Sequence, residues 1–221
     1  MTQENGTKNS SATALLIGFL VCGVLLVGIV AVMNLRQSLS APTPTPTFAP
    51  ETPGVTPIEP PKELSDFTLP SSTGEPVSLS DLQGKYALLF FGYTNCPDFC
   101  PTTLAEWTQV KTRLGDAAEQ MQFVFVSVDS QRDTPEVIER YILRFDPTFI
   151  GLSGDDETLT LIAPDYGLYY ELHLEQGEHY VVDHSTPSYL IDPQGQLVTM
   201  FAYDATVDAV VETIQAEMAG A

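Results

Sequence analysis

Basic residues are scarce: 9 Lys and Arg stand against 29 Asp and Glu in 221 residues, for a formal net charge of −20. Glu4, Lys8 and Arg36 are the only charged residues among the first 40, so the acidity belongs to the rest of the chain. A surface of that sign repels phosphate backbones, which argues against nucleic acid as a partner. Cysteine is scarce too: 3 residues are too few for a disulfide scaffold and are left for chemistry. There are 3 histidines, and no internal repeat is visible. Apolar residues are not lacking. At 43% hydrophobic and 10% aromatic, the chain is not that of a disordered protein. Its length suits one well-buried domain plus an appendage.

Charge is missing altogether from Asn9 to Leu35, and within that stretch ATALLIGFLVCGVLLVGIVAVM, residues 12–33, is almost wholly apolar. As a helix it would be roughly 33 Å long, enough to cross a bilayer core. It exceeds the h-region of a secretory signal, and no small-x-small cleavage site closes it, so a retained membrane span is expected. Phe19-Leu20-Val21 before Cys22 does not fit a lipoprotein signal; Cys22 reads as a small apolar residue of the span. The charge bias for orientation is thin and leans towards a cytoplasmic N-terminus. Residues 41–61 hold 8 of the 17 prolines, a composition that favours extended polyproline II and a semi-rigid spacer. The expected organisation is a tail over 1–11, a transmembrane helix over 12–33, a linker over 34–61 and a folded domain over 62–221.

Beyond residue 62, strand and helix patterns alternate. Short strands are expected at Phe67–Leu69 and Val77–Leu79, and buried strands at Tyr86–Phe91 and Met121–Val128, both continuous apolar runs. Helices are expected from Pro97 to Leu114, from Pro135 to Phe145 behind the N-cap Thr134, from Asp156 to Tyr166, and from Thr206 to Met218. Further strands are expected at Phe149–Leu152, Tyr169–Leu174, His179–Val182, Ser188–Ile191 and Leu197–Ala202. This order reads as α/β with a mixed central sheet.

The segment FGYTNCPDFCP, residues 91–101, lies between a buried strand and a helix start, where α/β proteins carry reactive groups. Cys96 and Cys100, four apart, would share one helix face, and the positive helix end favours thiolate. Such a pair can form a disulfide or bind a soft metal. His173 and His179 fall in the polar stretch ELHLEQGEHY and read as solvated surface residues. His184 follows Asp183 directly and precedes an apolar strand, a setting in which a carboxylate can orient a ligating imidazole. Two thiolates and an imidazole favour Cu(I), with Zn as competitor; structural Zn usually takes a fourth protein ligand.

The chain resembles the Sco/SenC family, membrane-anchored thioredoxin-like proteins of copper delivery to cytochrome c oxidase. The resemblance covers about residues 62–218 and rests on FGYTNCPDFCPTTL, VSVDSQRDTPE, GLSG and DHSTPSYLIDPQG in order. It implies a thioredoxin-like fold, with Tyr169–Val182 as an inserted hairpin and Cys96, Cys100 and His184 as copper ligands. It also implies delivery to the copper A subunit of the oxidase, from a domain on the extracytoplasmic side of the cell membrane. Two departures stand out: Asn95 where the family often has His, and Ser130 where it usually has Pro. Pro187 sits where thioredoxin-like folds often carry a cis-proline, although many family members lack it. A thiol–disulfide oxidoreductase using Cys96 and Cys100 is the alternative, with C-x-x-x-C spacing mildly against it. A peroxidase is weaker still, because the helix after Cys96 has its first basic residue only at Lys111.

Overall fold

The run YALLFFG offers almost nothing polar to either face of a strand, so it belongs in the middle of a sheet covered on both sides. It forms β4 (Tyr86–Gly92), all seven residues of which are buried. The computed structural model describes Ile29, Met33 and residues 52–220. The chain divides into two units, Met1–Ala49 and Pro50–Ala221, and the architecture below is that of the second.

Parallel neighbours of β4 follow through helical crossovers, as parallel pairing requires. From β4 the chain passes through α1 (Phe99–Leu114) to β5 (Met121–Ser127), then through α2 (Pro135–Ile142) to β6 (Ile150–Ser153). β5 pairs parallel with β4, and β6 parallel with β5. Helix α3 (Asp156–Tyr166) begins at Asp155, whose carboxylate accepts from the Thr158 N–H at 2.9 Å, and ends at Gly167, whose φ of 61° suits a residue without Cβ. A small separate ribbon of β7 (Tyr170–Leu172) and β8 (Val182–His184) comes next. The chain then returns antiparallel as β9 (Ser188–Ile191) beside β4, and turns back as β10 (Gln196–Phe201). Helix α4 (Val207–Gly220) closes the domain and packs on α1.

The central sheet runs β1-β10-β9-β4-β5-β6, where β1 is Val55–Glu63, and a short pair, β2 (Thr68–Leu69) and β3 (Val77–Ser78), stands apart. Thus Tyr86–Phe91, Met121–Val128 and Ser188–Ile191 are adjacent central strands, in the mixed α/β architecture expected. The core under α1 is aromatic: Phe90 meets Trp107 edge-on at 6.3 Å, and Trp107 meets Phe149 at 5.9 Å.

Several expectations need correction. Strand β1 starts at Val55, inside the stretch read as a spacer to residue 61. An edge strand tolerates prolines, because one side of its backbone needs no ladder partner. β1 is such an edge, pairing only with β10, from Val55↔Phe201 to Glu63↔Gln196 with a register shift between Pro57 and Lys62. Its Val55 and Ile58 pack against the core. The second hairpin strand is Val182–His184 instead of His179–Val182, because a 3-10 turn takes up Leu174–His179. Tyr180 then leaves the ribbon to meet Asp129. Helix α2 stops at Ile142, three residues early. Among the described residues the only cis peptide bond is Glu59–Pro60, so the bond before Pro187 is trans.

The span expected over residues 12–33 lies outside the described residues, apart from Ile29 and Met33. Among the described residues no helix is long and apolar enough to cross a membrane.

Candidate metal centre

Strand β4 delivers the chain to the site at Gly92. A Cβ there would lie 2.7 Å from Cys100 Sγ and 2.8 Å from a Phe90 ring carbon, so only glycine leaves room for the buried sulfur. The loop that follows carries Cys96, and α1 starts only at Phe99. Cys96 is therefore outside the helix, and the expectation of two cysteines on one helix face is corrected. Asp98, at the N-cap, makes no side-chain cap. The Cys96 sulfur takes that role, accepting from the Cys100 N–H at 3.4 Å. A first-turn N–H otherwise lacks a partner, so the helix entrance favours negative charge on this sulfur.

The two thiols are driven apart in acidity. A hydrogen bond from the Cys100 thiol lowers Cys96 most; burial opposes this, while the N–H groups of Cys100 and Asp98 add to it, bringing Cys96 to about 3. Cys100 is fully buried, and that burial, with the neighbouring Cys96 thiolate, pushes its thiol up. Without metal, one sulfur is a thiolate and the other holds the proton. Cys96 keeps 9% of its surface and Cys100 none, so the residue with the anionic sulfur is the more accessible of the two.

The third donor arrives from β8. His184 Nε2 lies 3.5 Å from Cys100 Sγ. Its Nδ1 lies 2.8 Å from the Ser185 carbonyl, which can only accept, so Nδ1 carries the proton and Nε2 presents its lone pair to the sulfurs. Phe90 and Tyr93 pack against the ring in T-shaped geometry, at 5.8 and 5.7 Å between centroids. One donor atom from each of Cys96, Cys100 and His184 can be chosen so that all lie within 4.8 Å of one another. Two soft sulfurs and one imidazole nitrogen, gathered this closely, can hold one metal ion.

Asp183 does not orient this imidazole. It is turned away, 62% exposed, and accepts from His173 Nε2 at 2.9 Å. A backbone carbonyl one residue on does the orienting, because the strand sends adjacent side chains to opposite faces. His173, read as solvated, pairs the two hairpin strands through that contact, whereas His179 is exposed as expected. Asn95 is exposed and outside the donor cluster, and Ser130 donates to Asp156 at the start of α3.

Sequence reasoning gave no role to Asp129, Arg132 and Asp133, which stand behind the site. Asp133, 1% exposed, accepts from the Thr94 N–H at 2.8 Å, the Thr94 hydroxyl at 2.6 Å and the Ser127 hydroxyl at 2.6 Å, and so holds the loop before Cys96. Burial raises the Asp133 carboxyl, and these donors partly restore its ionisation. Asp129, fully buried, pairs with Arg132 at 2.6 Å. The available signal was position: three charged residues directly after the carboxyl end of an apolar strand, where α/β sites are built.

A family model, SCO1/SenC, matches residues 55–219. The chain belongs to the SCO1/SenC family. The SCO2-like protein of Rickettsia felis is 32% identical over 152 residues, 68% of this chain and 74% of that protein. The solution structure of apo Sco1 from Thermus thermophilus is 41% identical with a TM-score of 0.66, covering 73% of this chain and 94% of that one. The crystal structure of Arabidopsis thaliana ScoI with copper bound is 31% identical with a TM-score of 0.67, covering 72% of this chain and 99% of that one. These likenesses identify the mixed sheet flanked by helices as the thioredoxin-like Sco fold.

Proposed function

We propose that this protein binds one Cu(I) through the Cys96 and Cys100 thiolates and His184 Nε2, and delivers it to the copper A centre of cytochrome c oxidase. The observation that carries this is the convergence of the three donors within 4.8 Å. Copper in the Arabidopsis relative and membership of the family support the choice of metal. Soft thiolates select the soft cation, and three ligands leave a side open, where a closed four-ligand Zn site would not. An incoming recipient thiolate can then bind before any of the three lets go, so the ion passes by ligand exchange without a free intermediate. We read the uncharged stretch from Asn9 to Leu35 as a single span of the cell membrane, with the domain that begins at β1 on the extracytoplasmic side and the proline-rich residues 41–54 as the linker.

One observation favours a second reading, thiol–disulfide exchange: a thiolate with 9% exposure backed by a fully buried thiol. Cys96 would attack a disulfide of the oxidase subunit, forming a mixed disulfide and releasing one thiolate of the partner. Cys100, passing its proton to that thiolate, would then attack Cys96 and release the second. The partner gains two electrons and this protein ends as the Cys96–Cys100 disulfide.

The deciding experiment mixes the copper-loaded protein with a metal-free, reduced copper A domain and measures copper in each after separation. Copper on the copper A domain is expected. Copper retained by the donor, with wild type and His184→Ala equally able to reduce an oxidised copper A domain, would favour exchange.

A further inference from the structure

The β7–β8 hairpin that carries His184 is a sheet of its own, with strands of three residues each. A ribbon that short is marginal alone and takes its position from what it docks on. Much of that docking centres on Tyr180, buried at 7% exposure and four positions before His184. Its hydroxyl donates to Asp129 Oδ1, and the Arg132 guanidinium carbon lies over its ring, 3.4 Å from the centroid. Arg132 also donates to the Tyr180 carbonyl at 2.9 Å and holds Asp129 Oδ2 through Nε at 2.6 Å. At the other end of the same loop, Asp133 grips Thr94, two residues before Cys96. The five residues Asp129–Asp133 therefore hold both ligand-bearing segments, the cysteine loop by one end and the hairpin by the other.

We propose that Tyr180, fixed by Asp129 and Arg132, is a positioning residue that sets how far His184 stands from the two sulfurs. This rests on the metal-site reading above. A ligand imidazole contributes fully only when its backbone is held in place, and groups one shell behind a metal ligand typically change affinity about 10–100-fold. Removing the hydroxyl leaves the ring, Val182 and the carbonyl contact of Arg132 in place. The fold and the cysteine pair are thus spared while the hairpin loses its fixed point on Asp129.

The test is a double-mutant cycle on the reduced full-length chain in detergent, with Cu(I) affinity read by competition against a chromophoric chelator. Tyr180→Phe is expected to weaken binding about 10-fold in the wild-type background and not at all in His184→Ala, because the tyrosine acts only through that ligand. Arg132→Lys, which keeps the charge but lacks the fork, is expected to repeat this pattern and replaces Tyr180→Phe should that variant not fold. Equal losses in both backgrounds mean a general structural role and overturn the proposal, as does no loss in either. If His184→Ala alone leaves affinity unchanged, the metal-site reading fails and the proposal with it. If His184→Ala weakens binding but neither second substitution does, only the positioning role falls.

Discussion

The backbone N–H of Cys100 points at the sulfur of Cys96, 3.4 Å away, so the first turn of α1 stabilises charge on the cysteine that precedes the helix. The Cys100 thiol's own hydrogen bond to that sulfur, aided by this N–H, brings Cys96 to about 3, while burial pushes Cys100 up, so the pair is unequal. Loading both sulfurs with one Cu(I) then displaces one proton, from Cys100. Affinity is expected to rise about ten-fold per unit between about pH 7 and 8, since protonation of Cys100 competes with the metal. Two ordinary thiols would release two protons and give about a 100-fold slope. Calorimetry in two buffers of different ionisation heat counts the protons; a value of two would contradict this asymmetry.

The same inequality predicts selective alkylation. At about pH 6 an ordinary thiol is almost wholly protonated, whereas Cys96 is a thiolate and its residue, unlike Cys100, is not fully covered. Iodoacetamide on the reduced, metal-free protein should modify Cys96 at least about 10-fold faster than Cys100, read by peptide mass mapping. Cys100→Ala removes the thiol that donates to that sulfur and should slow Cys96 without abolishing its reaction, since the N–H groups of Cys100 and Asp98 remain.

Gly92→Ala should act on the site and the core together. The added methyl would stand 2.7 Å from Cys100 Sγ and 3.0 Å from a Phe125 ring carbon, so the sulfur or β4 must move. Overpacking of this kind costs about 1–3 kcal/mol, which lowers the melting temperature by several degrees, and the displaced thiolate should also bind Cu(I) more weakly. Thermal unfolding and chelator competition on one preparation measure both; a variant unchanged in each would remove Gly92 from the site.

The domain boundary gives a fourth expectation. A fragment beginning at Leu64 lacks β1 and exposes the edge of β10, whereas one beginning at Thr52 keeps both. The shorter fragment should melt about 5–10 °C lower, as expected for losing a few kcal/mol in a domain of this size, and should aggregate more readily. Equal melting would mean that β1 contributes nothing to stability.

How much of this was legible in the sequence differs by element. Tyr86–Gly92, Met121–Ser127 and Ser188–Ile191 were readable because a doubly covered strand leaves an unbroken apolar run, and α3 because Asp155 and Gly167 punctuate it. β1 was not, since its prolines carry the composition of a spacer and only the pairing with β10 makes them a strand. In the site, the donor residues could be named but not their supports. Asp183 looked like the partner of His184 by adjacency, yet neighbours on a strand face opposite ways, and the true partner, the Ser185 carbonyl, leaves no mark in a sequence. Asp129 and Tyr180 are 51 positions apart, so their contact depends wholly on the tertiary fold.

X-ray absorption on the reduced, Cu(I)-loaded chain, with the copper-to-protein ratio determined on the same sample, tests the metal site most directly. Wild type should hold one copper with two sulfurs and one nitrogen, and His184→Ala should lose the nitrogen and bind markedly more weakly while keeping both sulfurs. A nitrogen retained in His184→Ala at unchanged affinity, or a site filled by zinc as strongly as by copper, would contradict the assignment of Cys96, Cys100 and His184 as a dedicated copper site.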